Sequence, residues 1–218
     1  MTKEPPPFID LAAPEAAPSR QEIAALLRRR DEHQGAPLRF IGWTLNDLSL
    51  KGLDFRDCEF LRCRAGHADF SASDLTEARF IACDCNNTRW QGATLSSASF
   101  VDCKLTGLDL AEARTLGLSF QRCLLIAAHL RGFSFRRAHL EGLDFQGADL
   151  SRVDFREAVL EGCSLRDANV TDARFEGADL RNSDLGALRL LDISKFKGAV
   201  ISKSQAAQLL ASLGLKVA

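Results

Sequence analysis

Gly142-Leu143-Asp144-Phe145-Gln146-Gly147-Ala148-Asp149-Leu150-Ser151-Arg152-Val153-Asp154-Phe155 carries a large apolar residue at every fifth position, here Phe145, Leu150 and Phe155. The same beat extends outward from Phe40 to Leu190 without a slip, through 31 consecutive pentapeptides. Its centres are 15 Leu, 11 Phe, Trp90 and Val170, and only Ala65, Cys85 and Thr115 depart from large apolar type. A helix of period 3.6 would spread these residues round its circumference, and a strand of period 2 would put Phe55 and Phe60 on opposite faces. The chain must therefore turn a corner every five residues.

Two residues before each centre the side chain is small (Ala, Cys, Ser, Thr or Val) in 22 of 31 cases, so large and small groups alternate inward. The remaining positions are polar or Gly, as at Gly52, Gly92, Gly132, Gly147 and Gly177, which suits turns facing water. The resulting A-D/N-L-x-x pattern, as in Ala148-Asp149-Leu150-Ser151-Arg152 and Ala178-Asp179-Leu180-Arg181-Asn182, resembles the pentapeptide-repeat family over about residues 38–190. That resemblance implies an all-β solenoid, a right-handed quadrilateral parallel β-helix with four pentapeptides per coil of 20 residues. The columns support such closure independently. Read every twentieth residue, Phe40, Phe60, Phe80, Phe100 and Phe120 align in one column and Phe135, Phe155 and Phe175 in another.

Three segments follow. Residues 1–37 form a Pro-rich leader, since all six prolines lie at or before Pro37, and proline inside a coil would delete a ladder hydrogen bond. Within it, Ser19-Arg20-Gln21-Glu22 has the spacing of a capping box and predicts a short helix over about 20–33. Residues 38–190 form the solenoid. The inward slots of its first coil are large (Leu38, Trp43, Leu48, Leu53), as befits an end covered by the leader. Outward, Ile41, Leu61, Ile81 and Val101 make an apolar column that the leader is expected to cover. Residues 191–218 form a C-terminal helix stopped by Gly214 and a short tail, with an apolar stripe of Ala206, Leu209, Leu210 and Leu213 on the helix plus Leu215 and Val217 in the tail. Either that helix caps the last coil or it joins two chains in a two-fold homodimer.

No stretch approaches a membrane span, and Pro5-Pro6-Pro7 stands where a signal peptide needs an apolar segment, so a cytoplasmic protein without a membrane partner is expected. Six of the seven cysteines occupy the small inward slot, where a thiol fits as a small hydrophobe. Four of them, Cys63, Cys83, Cys103 and Cys123, fall 20 apart and leave a bridging or metal reading open. No CxxC pair with an accompanying His, phosphate loop or nucleophile elbow is present. No enzyme, metal or cofactor is expected.

Gln205-Ala206-Ala207-Gln208-Leu209-Leu210 followed by Leu213-Gly214-Leu215, after Ser183-Asp184-Leu185-Gly186, resembles the ending of the Qnr-like, quinolone-resistance branch of the family. The resemblance implies a tail-to-tail dimer that protects DNA gyrase and topoisomerase IV from poisons by imitating duplex DNA. Many members of that branch carry loops that interrupt the repeat; here the register never breaks, as in loop-free members that serve self-immunity. A DNA mimic needs negative charge, and the net charge is only −1. Acid gathers late, however: residues 141–190 hold 11 Asp and Glu against 6 Arg and Lys. Glu141, Asp144, Asp149, Asp154, Glu157, Glu161, Asp167, Asp172, Glu176, Asp179 and Asp184 are therefore the expected partner-binding residues, although Asp before a centre also serves as a turn residue. Residues 113–140 carry Arg114, Arg122, Arg131, Arg136 and Arg137 with no acid at all, plus His129 and His139, a cluster suited to nucleic acid, to an acidic protein or simply to solvent; direct nucleic-acid binding is not expected. The other reading is a structural repeat that scaffolds an unrelated protein.

Overall fold

In the computed structural model, residues 8–29, 36–186, 193–212 and 214 are described, and they fall into two compact units, 1–120 and 121–218. Both are parallel β-solenoids. In the first unit, β1 (Ile9–Ala12), β2 (Leu38–Ile41), β3 (Glu59–Leu61), β4 (Arg79–Ile81), β5 (Ser99–Val101) and β6 (Ser119–Gln121, ending at the boundary) succeed one another in a six-stranded sheet, with α1 spanning Arg20–Arg29. In the second, β7 (His139–Glu141), β8 (Val159–Ser164) and β9 (Asp179–Asp184) form a three-stranded sheet followed by a 3₁₀ turn (Ile193–Phe196) and α2 (Lys203–Ser212). The other three sides of each coil are held by single parallel bridges, such as Thr44 to Arg64, Ser49 to Asp69 and Asp54 to Asp74, or Leu124 to Asp144, His129 to Asp149 and Ser134 to Asp154. Four sides per coil and an advance of twenty residues per coil are what the pentad spacing predicts.

The rings stack as the columns require. Phe40, Phe60, Phe80, Phe100 and Phe120 follow one another at centroid distances of 5.1, 4.5, 4.7 and 5.7 Å with planes within 14°. Phe135, Phe155 and Phe175 do the same at 5.4 and 4.9 Å. Each is almost wholly buried. At the corners the second residue after the centre adopts positive φ in Gly and non-Gly residues alike, including Arg62 (55°) and Glu77 (60°). That left-handed backbone costs a side-chain-bearing residue roughly 1–2 kcal/mol. It is offset because the corner N–H reaches the next coil, from Arg62 to the Ile81 carbonyl at 2.8 Å and from Glu77 to the Ser96 carbonyl at 2.9 Å.

The small inward slot also has polar work to do. Ser73, Thr88 and Ser183 donate hydroxyls to the carbonyls of Leu50, Ala65 and Leu160 at 2.9, 2.8 and 3.0 Å. Cys63, Cys83 and Cys103 point their thiols at the carbonyls of Phe40, Phe60 and Phe80 in the same manner. The seven cysteines are buried thiols, and none is in a disulfide. Contact with Cys103 draws the Cys83 thiol down, but Cys63 and burial outweigh it and push it up to about 12, while burial carries Cys163 to about 11. Thiols this shielded are inert side chains.

Three expectations need correction. The leader is not only a helix: Ile9–Ala12 pairs in parallel with Leu38–Ile41 and adds a rung below the first coil, fixed by the Trp43 indole N–H on the Leu11 carbonyl (2.8 Å). Of the helix expected over about 20–33, Arg20–Arg29 is helical and capped reciprocally by Ser19 and Glu22, and residues 30–33 lie outside the described residues. Because the leader strand extends the sheet edgewise, it does not lie across the column of Ile41, Leu61, Ile81 and Val101, whose side chains are half-buried. At the other end the solenoid continues past the point where the beat decays. Asp179 pairs with Val200 and Phe196 stacks on Phe175 at 4.8 Å and 7°, an advance of 21 rather than 20 residues.

Replacing Phe80, held between Phe60 and Phe100, by Ala should cost about 3–5 kcal/mol in chemical denaturation. Trp90→Phe should cost much less, because it removes fewer atoms and because the Trp90 indole N–H is buried without a partner among the described residues.

Candidate partner-binding surface

The expected acidic residues and the C-terminal helix all belong to the second unit. Five of the acids are turn residues first. Asp144, Asp149, Asp154, Asp179 and Asp184 each accept the backbone N–H two residues on, at 3.0, 3.0, 3.1, 3.1 and 2.9 Å. A short carboxylate placed before the centre closes the bend, which explains its recurrence in the repeat.

Most of the acids also meet a cation. Arg156 and Arg181 fold back on Asp154 and Asp179, each with Nη2 at 2.6 Å, and Arg166 reaches Asp184 at 2.6 Å. Arg174 holds Glu176 at 2.9 Å, and Lys195 holds Asp172 at 2.5 Å. The basic cluster read between 113 and 140 is largely spent in the same way. Arg136 and Arg137 both grip Glu157, at 3.0 and 2.8 Å, and Arg122 with Gln121 binds Glu141. Glu161 faces His139 at 3.3 Å. Among the described residues no ion pair reaches Asp144, Asp149 or Asp167. Over residues 121–218 the sequence holds 14 Lys and Arg against 12 Asp and Glu, so the acid is laid out in local spots on a surface that is not negative as a whole.

These contacts hold carboxylates below their ordinary range. The causes are Arg156 at Asp154, Arg181 at Asp179, Arg137 and Arg136 at Glu157, Lys195 at Asp172, and the Gly186 N–H with Arg166 at Asp184. Gln121 and then Arg122 lower Glu141; at Glu176 burial opposes the shift but Arg174 prevails.

The helix α2 is seated on the last rung. Ser202 and Gln205 form a reciprocal capping box, with the Gln205 N–H on the Ser202 hydroxyl at 3.2 Å and the Ser202 N–H on Gln205 Oε1 at 2.6 Å. Gln205 Nε2 then donates to the carbonyls of Leu180 and Ser183 at 2.6 and 2.8 Å, pairing groups that an open solenoid end would leave bare. Leu209 is buried within its own chain, Ala206 is half-buried and Leu210 is 40% exposed. Of the expected dimer stripe, therefore, Leu209 faces inward and Leu210 remains open; Leu213, Leu215 and Val217 lie outside the described residues. Among the described residues no helix is long and apolar enough to cross a membrane, and no group of His, Cys, Asp and Glu is placed to hold a metal.

With this geometry in place, comparison with known proteins decides the family. A pentapeptide repeat region matches residues 38–110, and eight-copy pentapeptide repeats match residues 119–156 and 148–186. The chain belongs to the pentapeptide-repeat family. No curated protein matches it in sequence. Among solved structures it is similar to full-length QnrB1, described as a plasmid-mediated fluoroquinolone resistance protein, at 22% identity and a TM-score of 0.71, covering 82% of this chain and 91% of that one. A trypsin-treated form of QnrB1 aligns at 22% identity and a TM-score of 0.68, over 84% of this chain and 89% of that one. These likenesses are likenesses of fold, that of a parallel β-solenoid.

The shifted carboxylates of this pentapeptide-repeat chain set the sign of its pH dependence. Because their folded values lie below the unfolded ones, their contribution is complete above the unfolded value of about 4 and is lost as pH falls through the folded values. Denaturation midpoints should thus be level from pH 7 to about pH 5 and decline below about pH 4. A midpoint that rose on acidification would contradict the pairing.

Proposed function

We propose that this protein is a non-enzymatic, cytoplasmic binding protein that engages a type II DNA topoisomerase, gyrase or topoisomerase IV, and shields it from a poison, in antibiotic resistance or self-immunity. The observation that carries the reading is the likeness of fold to QnrB1 over 82% of the chain. The chain has no segment that breaks the repeat between Phe40 and Leu190, so contact would fall to the coil faces themselves. Partial DNA mimicry then takes a local form: Asp144, Asp149 and Asp167 offer carboxylates to a basic groove directly, while paired acids such as Glu157 and Asp179 exchange one Arg for another. A uniformly negative rod is not required. Seven buried cysteines outside any disulfide agree with a reducing compartment. Purified protein should relieve poison-stabilised cleavage in a gyrase or topoisomerase IV assay, or lower supercoiling, at micromolar concentration; no effect on either enzyme would overturn the reading.

A second reading, a scaffold for an unrelated protein, is favoured by the extent of ion pairing, which leaves few bare acids. Pull-down from a cell extract separates the two, by recovery of topoisomerase subunits or of a different complex.

The homodimer through α2 belongs to the first reading, with Leu210 and Ala206 as its described contacts and Leu209 as part of the cap. Leu210→Asp should give a monomer by light scattering with little change in thermal midpoint. Leu209→Asp should instead lower stability by about 3 kcal/mol or more, since it buries a charge. A dimer that survives Leu210→Asp would contradict this division of roles.

A further inference from the structure

We infer that one outer face of the first unit is a docking surface for an acidic amphipathic helix of a partner protein. The face is built by β2 to β5, whose parallel register sets Ile41, Leu61, Ile81 and Val101 in line on the outward side. All four are half-buried, with part of each side chain open, and the leader strand extends this sheet at its edge instead of covering it. Four rungs at about 4.8 Å spacing make an aliphatic ridge of roughly 14 Å. A helix rising 1.5 Å per residue matches that with about ten residues, or an i, i+3, i+4, i+7 stripe with its flanks.

Charge selects the occupant. The column beside the ridge reads Arg39, Glu59, Arg79, Ser99. Glu59, buried, gives its carboxylate to Arg39 at 2.6 Å, and Arg39 also reaches Asp10 at 3.2 Å. Arg79, one rung on, is exposed, and so is Arg62 in the corner column Gly42, Arg62, Ala82, Asp102 on the other side of the ridge, which carries no acid over its first three rungs and is acidic only at the last; neither arginine is in an ion pair among the described residues. Elsewhere many surface arginines fold onto carboxylates, as Arg56 does on Asp54 at 2.6 Å. Here two are left bare on opposite flanks of apolar side chains, which calls for an occupant apolar along its middle and acidic along its edges. A second copy of the same face would set like guanidinium groups together, so self-pairing is disfavoured. The surface lies on the first unit, and its occupancy is independent of what the acidic residues of the second unit bind.

The test uses the full chain with labelled Ile, Leu and Val methyl groups and two synthetic helical peptides of 14 residues that share one Leu stripe, flanked by Glu in one and by Lys in the other. The Glu-flanked peptide should shift the methyl signals of Ile41, Leu61, Ile81 and Val101 and bind at least tenfold more tightly than the Lys-flanked one. In the double variant Arg62→Glu, Arg79→Glu the preference should reverse; Arg79→Glu alone should narrow it if the double variant fails to fold. Equal binding of the two peptides, shifts confined to other methyls, or no shift at all would overturn the proposal. So would concentration-dependent shifts of the same four methyls without peptide, which would assign the ridge to a second copy.

Discussion

Everything in this molecule depends on one coil lying in register over the coil twenty residues earlier. The backbone of each corner then finds its hydrogen-bond partner directly above or below, as Phe70 N–H does on the Arg89 carbonyl at 2.9 Å and Phe145 N–H on the Ser164 carbonyl at 2.9 Å. The same register stacks like on like inside, so that a ring 0 or 1% exposed, such as Phe60 or Phe80, packs against copies of itself. Burial of these centres supplies the apolar driving force, and the ladder satisfies the polar backbone that burial would otherwise strand. Positive φ at side-chain-bearing corners is tolerated because both gains recur at every corner.

Each unit has a solenoid end to close, and the chain closes the two by different means. At the start, Ile9–Ala12 contributes a further rung and Trp43 anchors it, while Ile23 and Leu27 of α1 are buried. At the finish, α2 brings a single amide, Gln205, whose oxygen caps its own helix and whose nitrogen caps two carbonyls of the last coil. One side chain thereby ties helix start to solenoid end. That role also limits what the helix can present to a second chain, because Leu209 is committed inward.

Much of this was legible in the residues. The period of five, the columns at twenty and the small inward slot sufficed for a four-sided solenoid, since each is a pattern repeated many times. What escaped were features that occur once. Ile9-Asp10-Leu11-Ala12 is too short to show a period, and a single extra residue before Phe196 turns the beat into apparent decay although the ring still joins its column. The charge pattern was misread for another reason. Counting along the chain separates the arginines before 140 from the acids after it, whereas coiling brings Arg137 beside Glu157, twenty residues away; adding twenty to each arginine would have found that pair. Leu209 and Leu210 are adjacent in sequence, and only the docking of α2 tells which of them faces the solenoid.

The central claim is the twenty-residue register, and nuclear magnetic resonance couplings through hydrogen bonds read it directly. The amide nitrogen of Phe70 should couple to the carbonyl carbon of Arg89, that of Phe145 to Ser164, and that of Arg89 back to Ala68. Couplings that instead joined residues close in sequence, as in hairpins, or that advanced by some other interval through the body of either unit, would contradict it.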